Sequence, residues 1–332
     1  MDSPRPAATR FTHWLCALAI VSLVAACAPP GPEQSQTMAV QGLYSATFSK
    51  DAKLAIVGSI NHGGSLWNFP ANERKFNWNH KQGEFSQIIA SAFSPDNAFA
   101  LTAKPQTMVL WDLQSGAAVS YWTAPSEILD VDLLPNGDLA LLGLVDHSAA
   151  LFDVKNGGVR QVFYHDARVN SVAYDSNTAR VLSGSDDFSA RLWSASTGTE
   201  LRRWEHADEV QLVEFSPDGK LAFTMAKYDK AAVWDTETGQ LVNRIPLFAS
   251  ALRRGQTYTA AAFSIDGAQL LTGTANREIQ LWDVSSMQRI KRWRMPRRHP
   301  TSPSTAAVLA LAFGPQGNYL AITSDGMAYR MR

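Results

Sequence analysis

The chain has 332 residues, of which 45% are hydrophobic and 18% charged, a globular composition long enough for a large core. Its 30 basic and 30 acidic residues cancel, so net charge gives no global signal for nucleic acid or an anionic surface. The two cysteines, Cys16 and Cys27, lie in or at the edge of an N-terminal leader, which excludes a disulfide framework in the folded part.

Residues 1–26 have the pattern of a secretory signal peptide. Two arginines precede an apolar run from Trp14 to Ala26, which is too short for a bilayer, where about 20 residues are needed. The run ends in Leu23-Val24-Ala25-Ala26-Cys27, which resembles the bacterial lipobox. The resemblance implies cleavage before Cys27 and lipidation of that cysteine. The alternative is an ordinary signal peptide with a coincidental cysteine.

Residues 27–37 are predicted to be a lipidated cysteine followed by a flexible tether. The segment Ala28–Thr37 is rich in proline and polar residues, and fully extended it reaches only about 35 Å. Ala28 stands where lipoproteins kept in the inner membrane usually carry Asp. The resemblance therefore favours a lipid-anchored protein of the bacterial cell envelope, in the outer membrane and facing the periplasm.

Residues 38–332 contain seven copies of one unit, which three columns of apolar residues define. The first column holds Phe48, Phe93, Leu133, Tyr174, Phe215, Phe263 and Phe313. The second holds Trp67, Trp111, Phe152, Trp193, Trp234, Trp282 and, in the shorter last copy, Tyr329. The third holds Trp78, Trp122, Phe163, Trp204, Ile245 and Trp293. Such a unit cannot bury both its faces alone, so this spacing favours packing between stacked copies over a tryptophan-lined ligand platform.

These columns, with Asp after the second-column residue in four copies, resemble the WD40 repeat family. The resemblance implies an all-β fold, a monomeric seven-bladed β-propeller with four antiparallel strands in each blade. The best-formed copy is Arg168–Asp208, with strands at Val169–Tyr174, Ala179–Leu182, Ser189–Trp193 and Glu200–Trp204. The last copy lacks its outer strand, and we expect Gln36–Gly42 to supply it and close the ring.

The six histidines after the leader fall in loops on one face of the predicted ring. The family resemblance implies a buried structural tetrad of His165, Ser183, Asp187 and Trp193. In the next copy His206, Thr224 and Trp234 match, but Tyr228 takes the position of the aspartate. No metal-ligand pair, phosphate loop or nucleophile elbow is present in the sequence, which therefore predicts no catalytic residue, metal or cofactor.

The copies differ most in two long connections, Pro246–Thr257 and Met295–Thr305, with a smaller insertion at Asn79–Gln87. All three project from the same face, where insertions often mark a binding surface. The candidate partner-binding residues are Phe248, Leu252, Arg253, Arg254, Arg297, Arg298 and His299. The basic strand Arg289–Arg294 precedes the second connection. The alternative is a set of solvated loops and charges that guard an exposed strand.

The favoured function is a non-catalytic, membrane-tethered scaffold that binds an envelope protein through the loop-rich face near blades 5–7. Nucleic acid is not an expected partner. One alternative is a propeller enzyme, or a binder of a small molecule or glycan, that uses the mouth of the central channel. Another is a structural lipoprotein whose basic patch binds cell wall or lipopolysaccharide.

Overall fold

The structure is a computed structural model that describes residues 29–228, 231–245 and 257–332. The predicted signal peptide and Cys27 lie outside the described residues. Four of the candidate binding residues, Phe248, Leu252, Arg253 and Arg254, also lie outside them.

The described chain forms seven four-stranded antiparallel sheets arranged as the blades of a propeller. In each blade strand a is innermost and strand d outermost. The inner strands of neighbouring blades contact one another in a closed cycle. The sequence-based prediction of an all-β, seven-bladed propeller is therefore confirmed.

The bounds of strands a to d in the first four blades follow. Blade 1 has Leu43–Phe48, Leu54–Ser59, Gly63–Asn68 and Glu73–Trp78; blade 2 has Ala90–Phe93, Phe99–Ala103, Thr107–Asp112 and Ala118–Thr123; blade 3 has Ile128–Leu133, Leu139–Leu144, Ser148–Asp153 and Val159–Tyr164; blade 4 has Val169–Asp175, Arg180–Ser185, Ser189–Ser194 and Glu200–Glu205.

Blade 5 has Val210–Phe215, Leu221–Ala226, Ala232–Asp235 and Leu241–Arg244; blade 6 has Tyr258–Phe263, Gln269–Thr274, Glu278–Asp283 and Arg289–Arg294; blade 7 has Val308–Phe313, Tyr319–Thr323, Met327–Met331 and, as its outer strand, Gln34–Thr37. Two short 3-10 turns, Pro135–Gly137 and Pro315–Gly317, connect strands a and b in blades 3 and 7.

The ring closes where the two ends of the chain meet in blade 7. Gln34–Thr37 pairs antiparallel with Met327–Met331, so the predicted closure by an N-terminal strand is confirmed. The strand lies further toward the N-terminus than the predicted Gln36–Gly42, and it takes four residues from the predicted tether. Gly42 cannot extend the strand because it has a left-handed backbone (φ +117°) in the turn into blade 1.

The tryptophan columns join consecutive blades. The third-column residue of one blade stacks on the second-column residue of the next blade. The ring centroids are 5.1 Å apart for Trp78 and Trp111 and 5.6 Å apart for Trp204 and Trp234. The outer indole of Trp78 also donates to the main-chain oxygen of Gly116 in the next blade, at 3.1 Å. The prediction that these residues serve packing between blades is therefore confirmed.

Candidate interaction face and central channel

One end of the ring carries the connections from strand b to c and from strand d to the next strand a. We call this end the loop face. The described histidines of the sequence prediction, among them His62, His147 and His299, lie in connections at this end. The insertions at Asn79–Gln87 and Met295–Thr305, which the structure describes, also fall here, so this face holds parts of the molecule that the repeat does not require.

The structure brings the predicted tetrad together in blade 4. His165 Nε2 lies 2.7 Å from Ser183 Oγ, and Trp193 Nε1 donates to the same oxygen at 2.8 Å. His165 Nδ1 lies 2.9 Å from Asp187 Oδ2. Burial by itself raises the pKa of Asp187, but hydrogen bonds from His165 and Ser189 bring that pKa below its ordinary value. These hydrogen bonds fasten the connection that carries His165, on the loop face, to the strands of blade 4.

Blade 2 contains a related network that the sequence reasoning missed. His80 Nε2 lies 3.0 Å from Thr102 Oγ1, which accepts a hydrogen bond from Trp111 Nε1 at 2.8 Å. Burial, with a smaller contribution from the nearby positive charge of Lys104, lowers the pKa of His80 to about 4. The insertion after His80 moves it 13 residues ahead of the first-column Phe93, where blade 4 has nine, and so hides the match.

The long connection from blade 6 to blade 7 is held in place by a buried arginine. Arg277 Nη1 donates to the main-chain oxygen of Pro296 at 3.0 Å and Nη2 donates to that of Pro303 at 3.3 Å. Its main-chain N–H donates to Ala306 at 3.0 Å. The loop Met295–Thr305 is therefore attached to the ring at its beginning and at its end.

Arg298 adds a third attachment in the middle of this loop. Its Nη1 donates to the main-chain oxygens of Ala39 at 2.8 Å and Val40 at 2.7 Å, next to the closing strand. The candidate residue Arg298 is thus half-buried and occupied by contacts within the chain, whereas Arg297 and His299 beside it are exposed.

Carboxylates from two blades lie between the inner strands. Asp130 Oδ2 and Asp132 Oδ2 of blade 3 accept main-chain N–H bonds from Val172 at 3.0 Å and Tyr174 at 2.8 Å. Burial raises the pKa of both to about 6. Burial also raises the pKa of Glu214 in blade 5 to about 8, and the two aspartates add to this shift. The sequence reasoning did not identify these groups.

A cleft of about 290 Å³ opens on the loop face between blades 5 and 6. It is lined by Gln211, Leu212, Lys227, Tyr228, Thr257, Tyr258 and Thr259. The side chain of Tyr228 is exposed at its edge and has a left-handed φ of +61°, which is uncommon for a bulky residue. In blade 5, Tyr228 occupies the position that Asp187 has in the tetrad of blade 4. This position therefore presents an aromatic side chain to solvent.

Two further features of the described residues bear on function. No group of three or more His, Cys, Asp or Glu side chains among them is arranged to hold a metal ion. None of the helical segments in this part of the chain has the length or hydrophobicity to cross a bilayer.

Comparison with known proteins connects the repeats to a family. Residues 158–194 and 254–283 match the model described as WD domain, G-beta repeat. The first segment contains the outer strand of blade 3 and the first three strands of blade 4, including Ser183 and Trp193. The second ends on Asp283, directly after the second-column Trp282.

Curated relatives match longer stretches. Periodic tryptophan protein 2 from Arabidopsis thaliana is 24% identical over 270 residues, which are 75% of this chain and 30% of that protein. Pre-mRNA-processing factor 19 homolog 2 from the same plant is 29% identical over 206 residues, 60% of this chain and 36% of that protein. A guanine nucleotide-binding protein subunit beta, also from that plant, is 28% identical over 200 residues, 56% of this chain and 52% of that protein.

The chain thus spans between about a third and about a half of the length of these relatives. The seven registered repeats, the closed ring and these matches together support a β-propeller of the WD40 type for this chain.

Proposed function

We propose that this protein is a non-catalytic interaction scaffold of the bacterial envelope, which binds a protein partner through the loop face near blades 5–7. The observation that carries the proposal is the loop Met295–Thr305. It is longer than the repeat requires, it is held by Arg277 and Arg298, and it still presents Arg297 and His299 to solvent.

Such a loop is suited to binding because it is ordered before a partner arrives. Binding to a preorganised loop costs less conformational entropy than binding to one that must be ordered. An exposed guanidinium such as that of Arg297 can donate two parallel hydrogen bonds to a carboxylate on the partner. We assign Arg298 a positioning role, and we keep Phe248, Leu252, Arg253 and Arg254 as candidate contacts on the sequence alone.

The names of the relatives favour the same class of function. The guanine nucleotide-binding protein subunit beta and transcription initiation factor TFIID subunit 5 are both named as subunits of larger assemblies. Together with a rigid ring and connections that differ from blade to blade, this supports a scaffold that presents one face to other proteins.

The membrane tether is proposed from the sequence pattern that ends at Cys27. Several acyl chains on one residue anchor a protein durably, whereas a single chain binds only marginally. Metabolic labelling with a fatty acid should therefore label the wild type and leave a Cys27→Ser variant unlabelled and released from membranes. An unlabelled wild type would remove the tether from the proposal.

The partner is sought by crosslinking the full-length protein in its native membrane and comparing two double variants. Arg297→Glu/His299→Glu changes the exposed loop, and Lys53→Glu/Lys220→Glu changes two exposed lysines at the opposite end of the ring. We expect the first variant to lose the crosslinked protein and the second to keep it. A loop variant that keeps every partner of the wild type would contradict the proposed binding face.

A second candidate function is the binding of a small polar molecule or a glycan at the channel mouth. The cleft beside Tyr228 favours it, because an exposed aromatic ring next to Lys227 offers stacking and a positive charge to one ligand. Its volume is at the lower end of ligand pockets. A ligand that binds the wild type and not Tyr228→Ala in calorimetry would favour this function; unchanged binding would place the ligand elsewhere.

A further inference from the structure

The outer strand of blade 6, Arg289–Arg294, forms a positively charged outer wall. It carries four basic residues and no acidic one. Lys291 and Arg294 are exposed, and between the charges Ile290 is 51% exposed. We call the four basic residues Arg289, Lys291, Arg292 and Arg294 the basic wall. The Arg292 guanidinium lies 4.0 Å from the carboxylate of Glu278 on the adjacent strand.

The fold does not require this charge. The outer strand of blade 4, Glu200–Glu205, has the same register against its neighbour: Glu200 pairs with Trp193 as Arg289 pairs with Trp282. Its two glutamates therefore stand where the basic wall has Arg289 and Arg294, and they balance two arginines.

Protection of an exposed strand edge also fails to explain the charge. Charged side chains on an outer strand can prevent edge-to-edge pairing. However, the outer strands of blade 2, Ala118–Thr123, and of blade 7, Gln34–Thr37, contain no charged residue at all. Among the outer strands that the structure describes, that of blade 6 alone combines four basic residues with no acidic one.

The N-terminal segment reaches the ring on the edge of this same strand. The main-chain oxygen of Pro30 accepts a hydrogen bond from the N–H of Arg294 at 3.3 Å. Cys27 is three residues earlier, so covalent geometry keeps its Cα within about 10 Å of that contact point. An acyl chain on Cys27 would hold Arg294, at one end of the basic wall, near the membrane surface, at a distance comparable to the Debye length at physiological salt (~8 Å).

We propose that the basic wall docks on anionic phospholipid head groups of the membrane in which Cys27 is anchored. Phosphate groups attract the four cations, and Ile290 adds an apolar contact at the head-group level. The ring then stands on blade 6 with its channel axis along the membrane plane, and the loop face opens sideways toward partners. The orientation rests on the proposed tether.

The test measures which wall faces the lipid. Cys27 is the only cysteine after the leader, so a thiol can be placed and labelled elsewhere. Gln288→Cys puts a fluorophore beside the basic wall, and Thr199→Cys puts it at the matching exposed place in blade 4. On vesicles of phosphatidylcholine with phosphatidylglycerol, a lipid-borne quencher should quench the label at position 288 roughly twofold more than the label at 199.

Two charge variants separate the wall from general electrostatics. Arg289→Glu/Arg294→Glu copies the residues of blade 4, so the strand should tolerate it, and it should abolish the difference between the labels. Arg202→Glu/Arg203→Glu makes the same charge change on blade 4 and should leave the difference intact. Vesicles of phosphatidylcholine alone should also abolish it.

Failure of docking and failure of the tether give different results. If the wild-type protein does not sediment with vesicles, the proposed tether is wrong. The quenching of the two labels is then measured on protein in which a polyhistidine tag replaces Cys27 and binds a nickel-chelating lipid in the vesicle. Equal quenching of the two labels on anchored protein overturns the docking proposal. The Arg289→Glu/Arg294→Glu variant could instead lose a protein that crosslinks to the wild type while its quenching stays unchanged. That result would also overturn the docking proposal, and it would assign the basic wall to a protein partner.

Discussion

Arg277 and Asp325 form a 2.7 Å ion pair across the junction of blades 6 and 7. Arg277 is only 2% exposed and has a φ of +64°, a left-handed conformation that such a large side chain rarely adopts. Local strain of this kind persists where the surrounding contacts over-determine it, often at functional sites. The pair ties this strained turn, the loop Met295–Thr305 and the last blade into one unit.

We predict that Arg277→Met destabilises the protein by roughly 3–5 kcal/mol, because it leaves the carboxylate of Asp325 half-buried without its partner. Urea unfolding gives the free energy, and hydrogen exchange should show faster exchange in the loop after Met295. An Arg277→Met/Asp325→Leu double variant should recover part of the loss. A single variant as stable as the wild type would contradict this role.

Ser183→Ala should cost about 1–3 kcal/mol of unfolding free energy, since Trp193 Nε1 and the ring of His165 both lose the hydroxyl that they contact. Ser183→Thr is the matched control, because threonine contacts the indole at Thr102, Thr224 and Thr272 in other blades. Equal stability of the alanine and threonine variants in chemical denaturation would show that the network contributes little.

Deletion of Gln34–Thr37 should open the ring, because the strand Met327–Met331 loses the partner that covers its outer edge. We expect the variant to aggregate or unfold at a lower temperature, as measured by size-exclusion chromatography and thermal melting. Replacement of the four residues by alternating threonine and valine keeps a strand and should keep the monomer. A folded, monomeric deletion variant would refute closure by this strand.

Glu214 should make the protein less stable as the pH rises. Its pKa is about 8 in the folded state and near its ordinary value of 4.5 when unfolded, so between these pH values the folded state binds more protons. Stability contributed by this group is therefore complete at low pH and is lost as the pH rises toward 8. Glu214→Gln should flatten that decline in melting curves between pH 5 and about 8. If the wild type and the Glu214→Gln variant lose stability equally as the pH rises, the decline is due to other titratable groups.

His80 should have the opposite dependence. Its pKa is lowered from 6.5 to about 4, so between these values the unfolded state binds more protons and stability falls as the pH is lowered. A His80→Gln variant should lose less stability than the wild type between pH 6.5 and 4. NMR titration of the ring protons gives the pKa directly, and a value near 6.5 would contradict the burial argument.

Much of the architecture followed from repeat spacing. The columns of Trp193 and Trp204 predict packing between blades, and the resemblance to the WD40 family implies the tetrad that contains His165 in blade 4. The network of His80 was not predicted because the insertion after His80 lengthens its spacing to Phe93 along the chain, while its ring still lies within hydrogen-bond distance of Thr102. The observed closing strand begins two residues before the predicted Gln36, because its short polar sequence has no alternating pattern that would set the register.

By itself, the sequence determined seven stacked copies of one unit and the connections in which they differ, because the regular spacing of large apolar residues requires each copy to pack on its neighbours. The arrangement of these copies as a ring of blades was implied by their resemblance to the WD40 family. Only the tertiary structure decided that Arg298 holds a loop while Arg297 beside it is free to meet solvent, since chain direction and packing separate two identical side chains. It also brought Asp132 and Glu214 together from two blades, and their shared burial, rather than any local pattern, raises their pKa values.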